Sequence, residues 1–238
     1  MKPGQTCRWH AFPDQVALEQ AALRFMLESA EQAIAERGVF RLVLSGGTTP
    51  RRLYQVLRQA QTGWSAWHIY FGDERCLPAG APERNSHMAR LAWLDQVSIP
   101  AAQIHPIPAE LGPEGGAGRY ARELAQVGEF DLVLLGLGED GHTASLFPGG
   151  AWEGEAWLPA AIPVLDAPKP PPQRVSLSPA RLSLASRVLF LASGEAKRPA
   201  LMAWREGQPI PASRICPPAG VDVFFCFDGD PAHRANRP

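Results

Sequence analysis

Residues 130–149 read Phe130-Asp131-Leu132-Val133-Leu134-Leu135-Gly136-Leu137-Gly138-Glu139-Asp140-Gly141-His142-Thr143-Ala144-Ser145-Leu146-Phe147-Pro148-Gly149. The stretch from Phe130 to Leu135 is short and almost wholly apolar, which suits a strand buried on both faces of a parallel sheet. Directly after it, three glycines, two carboxylates and a histidine crowd into residues 136–142. A structural turn does not need that chemistry. A strand that empties into such a segment points to an open α/β sheet, where ligands bind beyond the carboxyl ends of the strands.

Outward from this segment, strands and helices alternate. Upstream, Asp14–Arg37 repeats apolar residues at helical spacing (Leu18, Ala21, Ala22, Phe25, Ala30, Ala33, Ile34), with Asp14 placed to cap its start and Gly38 its end. Val39–Leu44 reads as a strand, and after Ser45-Gly46-Gly47-Thr48-Thr49 a second helix opens at Pro50. Trp67–Phe71 predicts a strand, Ser86–Val97 and Arg119–Val127 helices. Downstream, Arg187–Ala192 predicts a strand, Glu195–Arg205 a helix and Val221–Phe227 a last strand. Such alternation implies βαβ units and right-handed crossovers. The expected fold is α/β and Rossmann-like, a mostly parallel sheet with helices on both faces. One domain over residues 1–238 accommodates it, with a core at about 14–227. Five prolines make Pro163–Gln173 a surface loop, and residues 229–238 form a frayed tail.

Bulk composition excludes several classes. Lys and Arg number 23 against 24 Asp and Glu, so no basic footprint for nucleic acid is present. No apolar run approaches the roughly 20 residues of a membrane span, and the start, MKPGQTCRWHAF, lacks a signal-peptide core. The cysteines Cys7, Cys76, Cys216 and Cys226 are scattered, as reduced thiols of a cytoplasmic protein would be.

Several strand-end positions carry unusual chemistry. In Ser45-Gly46-Gly47-Thr48, paired glycines permit a tight turn, and the helix start offers unpaired N–H groups at the positive end of its dipole. A small phosphate fits there, though a capped strand–helix turn explains the same residues. The spacing is neither a P-loop nor a dinucleotide fingerprint. Gly72-Asp73-Glu74-Arg75 is either a solvated loop or a phosphate clamp, with Asp73 or Glu74 holding the Arg75 guanidinium. His142 suits a general base, and Asp140 is a candidate partner for it. A structural histidine and a metal ligand are the rival explanations; no second histidine stands at ligand spacing, so no metal is expected. Lys197, in the first turn of a helix, opposes the helix dipole, which either an anionic ligand or simple solvation accommodates. Asp73, Asn85, Gly138, Gly141 and Arg174 are candidates to line the same mouth. His10, His68, His87, His105 and His233 lack such a setting.

The segments SGGTTPRRLY (45–54), GDER (72–75), ERNSHMARLAWL (83–94), GLGEDGHTASLFPG (136–149) and SGEAKRPAL (193–201) together resemble, in that order, the 6-phosphogluconolactonases of the glucosamine/galactosamine-6-phosphate isomerase superfamily. The resemblance spans about Asp14 to Phe227. It implies hydrolysis of 6-phosphoglucono-δ-lactone to 6-phosphogluconate, without a metal or an organic cofactor. It also implies that His142 is the base, that Arg75 and Lys197 are phosphate-binding cations, and that Ser45–Thr48 is the phosphate loop. Two features depart from the family pattern: Asn85 is followed by Ser86 rather than an aromatic residue, and the 163–173 loop is rich in proline. Both bear on the shape of the sugar pocket. The nearest alternative is a glucosamine-6-phosphate deaminase/isomerase; such enzymes carry an Asn-Glu pair where this chain has Leu146 and Phe147. A non-catalytic sugar-phosphate sensor is the other, although no helix-turn-helix segment fits before residue 39. The expected partner is a small sugar-phosphate lactone, with neither nucleic acid nor membrane, bound by a monomer or small homo-oligomer.

Overall fold

Asp14 accepts a hydrogen bond from the Ala17 N–H at 2.8 Å and so starts the first long helix, while Gly38, with φ +70°, ends it. In a computed structural model, which describes residues 5–155 and 157–227, that helix is α1 (Gln15–Arg37). It follows strand β1 (Cys7–Ala11) and leads into β2 (Phe40–Leu44), α2 (Thr48–Leu57), β3 (Trp67–Phe71) and β4 (Asp73–Arg75). Next come α3 (Asn85–Ala92), α4 (Gly112–Leu124), β5 (Phe130–Gly136), β6 (Ala161–Val164) and β7 (Arg174–Leu177). The described chain ends with α5 (Pro179–Ser183), β8 (Ala185–Ser193), α6 (Arg198–Arg205) and β9 (Val221–Cys226).

Six strands form one sheet in the order β1-β9-β8-β5-β2-β3, and every neighbouring pair is parallel. Phe130 to Leu135 are buried at each position. Because successive side chains of a strand point to opposite faces, both faces of the sheet are covered, as the apolar run requires. From β2 the chain moves outward to β3; from β5 it moves the other way, to β8. The carboxyl ends of β2 and β5, held in register by Leu42–Leu132 and Val43–Val133 pairing, therefore flank a topological switch point.

A second, three-stranded antiparallel sheet, β4-β7-β6, stands against that edge. Gly72 stitches it to the main sheet, donating to the Leu44 carbonyl at 3.0 Å and accepting from the Leu177 N–H at 2.8 Å. The central residue of β4, Glu74, is 0 % exposed and organises what lies beside it. Its carboxylate accepts from the backbone N–H groups of Asn85 (2.7 Å) and Ser86 (2.8 Å), which open α3, and from that of Arg75 (2.9 Å). A carboxylate suits a helix N-terminus, where N–H groups lack intrahelical partners. Arg84, 2 % exposed, balances the charge at 3.4 Å and ties onward to Glu110 at 2.9 Å and the Ile107 carbonyl at 2.6 Å.

The structure corrects several sequence expectations. The sheet begins at Cys7, ahead of the core start at residue 14, because β1 is a half-exposed edge strand with no apolar run. Helix α2 opens at Thr48 rather than Pro50, and α4 at Gly112 rather than Arg119, its glycines having masked the first turns. Asp73–Arg75 is a strand with a buried acidic pair, neither a solvated loop nor a carboxylate grip on Arg75. Part of the proline-rich loop, Pro163–Val164, belongs to β6; its place at the sheet edge tolerates the missing N–H. The expected frayed tail at 229–238, and His233 with it, lies outside the described residues.

Removing the Glu74 carboxylate strands a buried Arg84 and three backbone donors. Glu74→Ala is expected to cost about 3–5 kcal/mol of folding free energy, read from the urea midpoint; a shift below about 1 kcal/mol would show that β4 and α3 hold each other without it.

Candidate functional site

The turn after β5 folds back on itself. Gly138 N–H donates to the His142 carbonyl at 2.7 Å, and Gly141 N–H donates to the Gly138 carbonyl at 3.1 Å. A Cβ on Gly138 would overlap the His142 ring and the Asp140 carboxylate, so only glycine lets the imidazole sit there. His142 Nδ1 lies 2.5 Å from Asp140 Oδ1, which also accepts the His142 backbone N–H at 3.2 Å. With the carboxylate accepting, the proton sits on Nδ1 and the lone pair on Nε2. Burial pushes the Asp140 carboxyl up, but the hydrogen bonds and charge of His142 outweigh it and hold its pKa below the ordinary value. His142 keeps 19 % of its side chain exposed, and Nε2 has no hydrogen-bond partner among the described residues. The Phe147 ring, with its centroid 4.6 Å away, packs against the imidazole.

Two more strand ends complete the floor. Tyr54, buried in α2, takes a hydrogen bond from the Ser45 N–H at 3.1 Å and returns one to the Ser45 carbonyl at 2.8 Å, pinning the turn after β2. A Cβ on Gly46 would collide with the Asn85 amide, so this turn needs glycine for close approach. The N–H groups of Gly46 and Gly47 bond to no described residue. On β4, Asp73 accepts from Asn85 Nδ2 at 3.0 Å and from Ser145 Oγ at 2.6 Å, joining three segments of the wall.

These elements enclose a cavity of about 330 Å³. Ser45, Gly46, Gly47, Asp73, Arg75, Asn85, Gly138, His142, Arg174 and Lys197 all line it. Thr48, Asp140 and Gly141 do not. Thr48 is exposed at the start of α2, Asp140 supports the imidazole, and Gly141 lies against Ile210, 2.8 Å from where its own Cβ would be. The Arg75 guanidinium bonds to the Glu83 carbonyl, while its Nε is buried without a partner among the described residues. Lys197, in a 3-10 turn before α6, approaches Glu139 at 3.9 Å. Sequence reasoning missed Lys169, Pro170 and Ala144 on the wall. The lysine embedded in the proline run was the available signal. Lining side chains thus carry the cations Arg75, Lys169, Arg174 and Lys197 against the single carboxylate of Asp73. Such an excess fits an anionic ligand. Among the described residues no group of three His, Cys, Asp or Glu is arranged to hold a metal ion, and no helix is long and apolar enough to cross a membrane.

Comparison with known proteins places these features in a family. Residues 13–224 match the profile of the glucosamine-6-phosphate isomerases/6-phosphogluconolactonase family. The chain is 38% identical over 198 residues to the 6-phosphogluconolactonase of a Nostoc species, covering 79% of this chain and 81% of that protein. It is 49% identical over 143 residues to the corresponding Synechocystis protein, covering 56% of this chain and 59% of its relative. The solved structure of 6-phosphogluconolactonase from Thermotoga maritima superposes with a TM-score of 0.85 at 25% identity, covering 94% of this chain and 100% of that one.

The Asp140–His142 geometry has a direct spectroscopic consequence. Long-range proton–nitrogen spectra of the wild type are expected to show the neutral His142 ring as the Nδ1–H tautomer, and Asp140→Asn to shift or mix the tautomers. A wild-type Nε2–H signal would overturn the assignment.

Proposed function

The chain belongs to the glucosamine-6-phosphate isomerase/6-phosphogluconolactonase family, and on that premise we propose that it hydrolyses 6-phosphoglucono-δ-lactone to 6-phosphogluconate. One observation carries the reading: an imidazole with an open Nε2, braced by Asp140, faces a cavity in which cations outnumber carboxylates. That arrangement supplies a base at the floor and a counter-charge for the substrate phosphate.

The chemistry follows from these groups. Nε2 of neutral His142 removes a proton from water as the oxygen attacks the lactone carbonyl. The Asp140 carboxylate stabilises the resulting imidazolium through Nδ1–H. Negative charge grows on the former carbonyl oxygen, and the N–H of Ala144, a wall residue whose N–H bonds to no described residue, is available to stabilise it. The ring C–O bond then breaks, and the imidazolium returns its proton to the departing ring oxygen. Arg75, Lys197 and the free N–H groups of Gly46 and Gly47 hold the phosphate, converting remote binding energy into positioning at the carbonyl. The pathway is hydrolytic, and each proton taken from water is returned.

Phe147 supports this chemistry over aldose–ketose isomerisation. Proton transfer between sugar carbons draws on an acidic partner for the histidine beyond Asp140, and the side chain packed on the imidazole is an aromatic ring. Among the described residues His142 is the one histidine that lines the cavity.

The test follows lactone generated in situ from glucose 6-phosphate, measured against its spontaneous opening and with a chelator-treated sample alongside. His142→Ala is expected to lower kcat by about 100-fold or more, with unchanged thermal unfolding. Wild-type decay no faster than the spontaneous background would sink the reading, and turnover of glucosamine 6-phosphate would replace it with the isomerase alternative.

A further inference from the structure

One cation in the cavity comes from neither a strand end nor a helix start. Lys169 and Pro170 belong to the proline-rich segment between β6 and β7, and both reach the cavity wall. Arg174, at the start of β7 and 5 % exposed, is turned onto that segment. Its Nη2 donates to the Lys169 carbonyl at 2.8 Å and approaches the Pro170 carbonyl at 3.5 Å, while Nε donates to the Pro171 carbonyl at 3.0 Å. On its other side Nη1 reaches Ser145 Oγ at 3.5 Å, and the guanidinium lies 5.4 Å from the centre of the Phe147 ring.

The donors of Arg174 are thus largely committed to protein acceptors. Lys169 is the reverse case: its side chain is exposed at the cavity, and its ammonium forms no hydrogen bond or ion pair with any described residue. Pro170, Pro171 and Pro172 follow it directly, so the backbone that presents this ammonium has little freedom to lose on binding. Orientation in the cavity then decides what the ammonium meets. The lactone carbonyl must lie at His142, and the phosphate is at the other end of the same molecule, among the cations that line the cavity.

We infer that Lys169 is a substrate-binding residue that contacts the phosphate, and that Arg174 is a positioning residue acting through it. The inference rests on the lactonase reading for the direction in which substrate lies, and it revises Arg174 from a wall residue that binds substrate to one that aims another. A compact, rotatable ammonium on a stiff support suits a tetrahedral phosphate, whereas the forked guanidinium suits the row of carbonyls it already holds.

Inorganic phosphate, titrated calorimetrically into the folded protein, reports the subsite without turnover. Lys169→Ala is expected to weaken phosphate binding about tenfold and to raise KM for the lactone similarly, with kcat changed by no more than about twofold. Lys169→Arg should recover most of the loss. Arg174→Met should raise KM to a comparable degree and add little to Lys169→Ala, since both remove one contact; Arg174→Lys serves if the methionine variant fails to fold. Unchanged phosphate affinity in Lys169→Ala overturns the inference, and so do effects of the two positions that multiply. If the wild type fails to accelerate lactone opening while its phosphate affinity still depends on Lys169, the lactonase reading falls and the phosphate subsite stands.

Discussion

A carboxylate with no access to water sits at the centre of this structure. Glu74 accepts three backbone N–H groups and faces a guanidinium that is itself buried. An isolated charge at that depth would be prohibitive, and it persists because its hydrogen-bonding capacity is filled and its charge matched. The consequence is geometric. The same carboxylate fixes the N–H of Arg75 on one side and the first turn of α3 on the other, so that Arg75 and Asn85 arrive together on the cavity wall. Asn85 then bridges to Asp73, and Asp73 to Ser145, three residues after His142. One buried ion pair therefore couples the small sheet to the loop that carries the base.

The imidazole is held by a different kind of constraint. No long-range partner aims it; the turn that delivers it also supplies the acceptor for its Nδ1, two residues earlier in the chain. This economy is possible because Gly138 has no Cβ where the ring must lie. Phe147 packs against the ring, and the same aromatic side chain meets the Arg174 guanidinium, which bonds to the segment bearing Lys169. Base and proline-rich loop thus share a neighbour, although β6 separates them in the chain.

This division between local and distant constraints explains what the sequence made legible. The parallel sheet could be read from continuous apolar runs such as Phe130–Leu135, and α1 from its spacing and both caps, because those signals are local. The glycine-rich turns after β2 and β5 were legible for the same reason: their chemistry is contiguous in the chain. Strand β1 was not, since an edge strand needs no apolar run, nor were the first turns of α4, where glycine lowers helix propensity. The spacing of Asp140 and His142 left their contact open; only the fold-back through Gly138 decides it. For Glu74, three charged residues in succession normally indicate solvent. The partner that makes burial tolerable is Arg84, ten residues away and brought in by α3.

Arg174 and Lys169 show the same limit from the other direction. In sequence, an arginine after a run of prolines is indistinguishable from a solvated side chain or a substrate ligand. What separates those roles is which acceptors its donors have already found, and three of its contacts are carbonyls of residues three to five positions earlier. Proline enters this arrangement twice. It removes N–H groups that would otherwise compete for those carbonyls in an ordinary turn, and it restricts the backbone that the guanidinium must hold. The result is a segment whose uncommitted ammonium faces the cavity. Prolines and guanidinium together restrict the backbone of this loop, so a cation in an exposed segment can still be presented to the cavity.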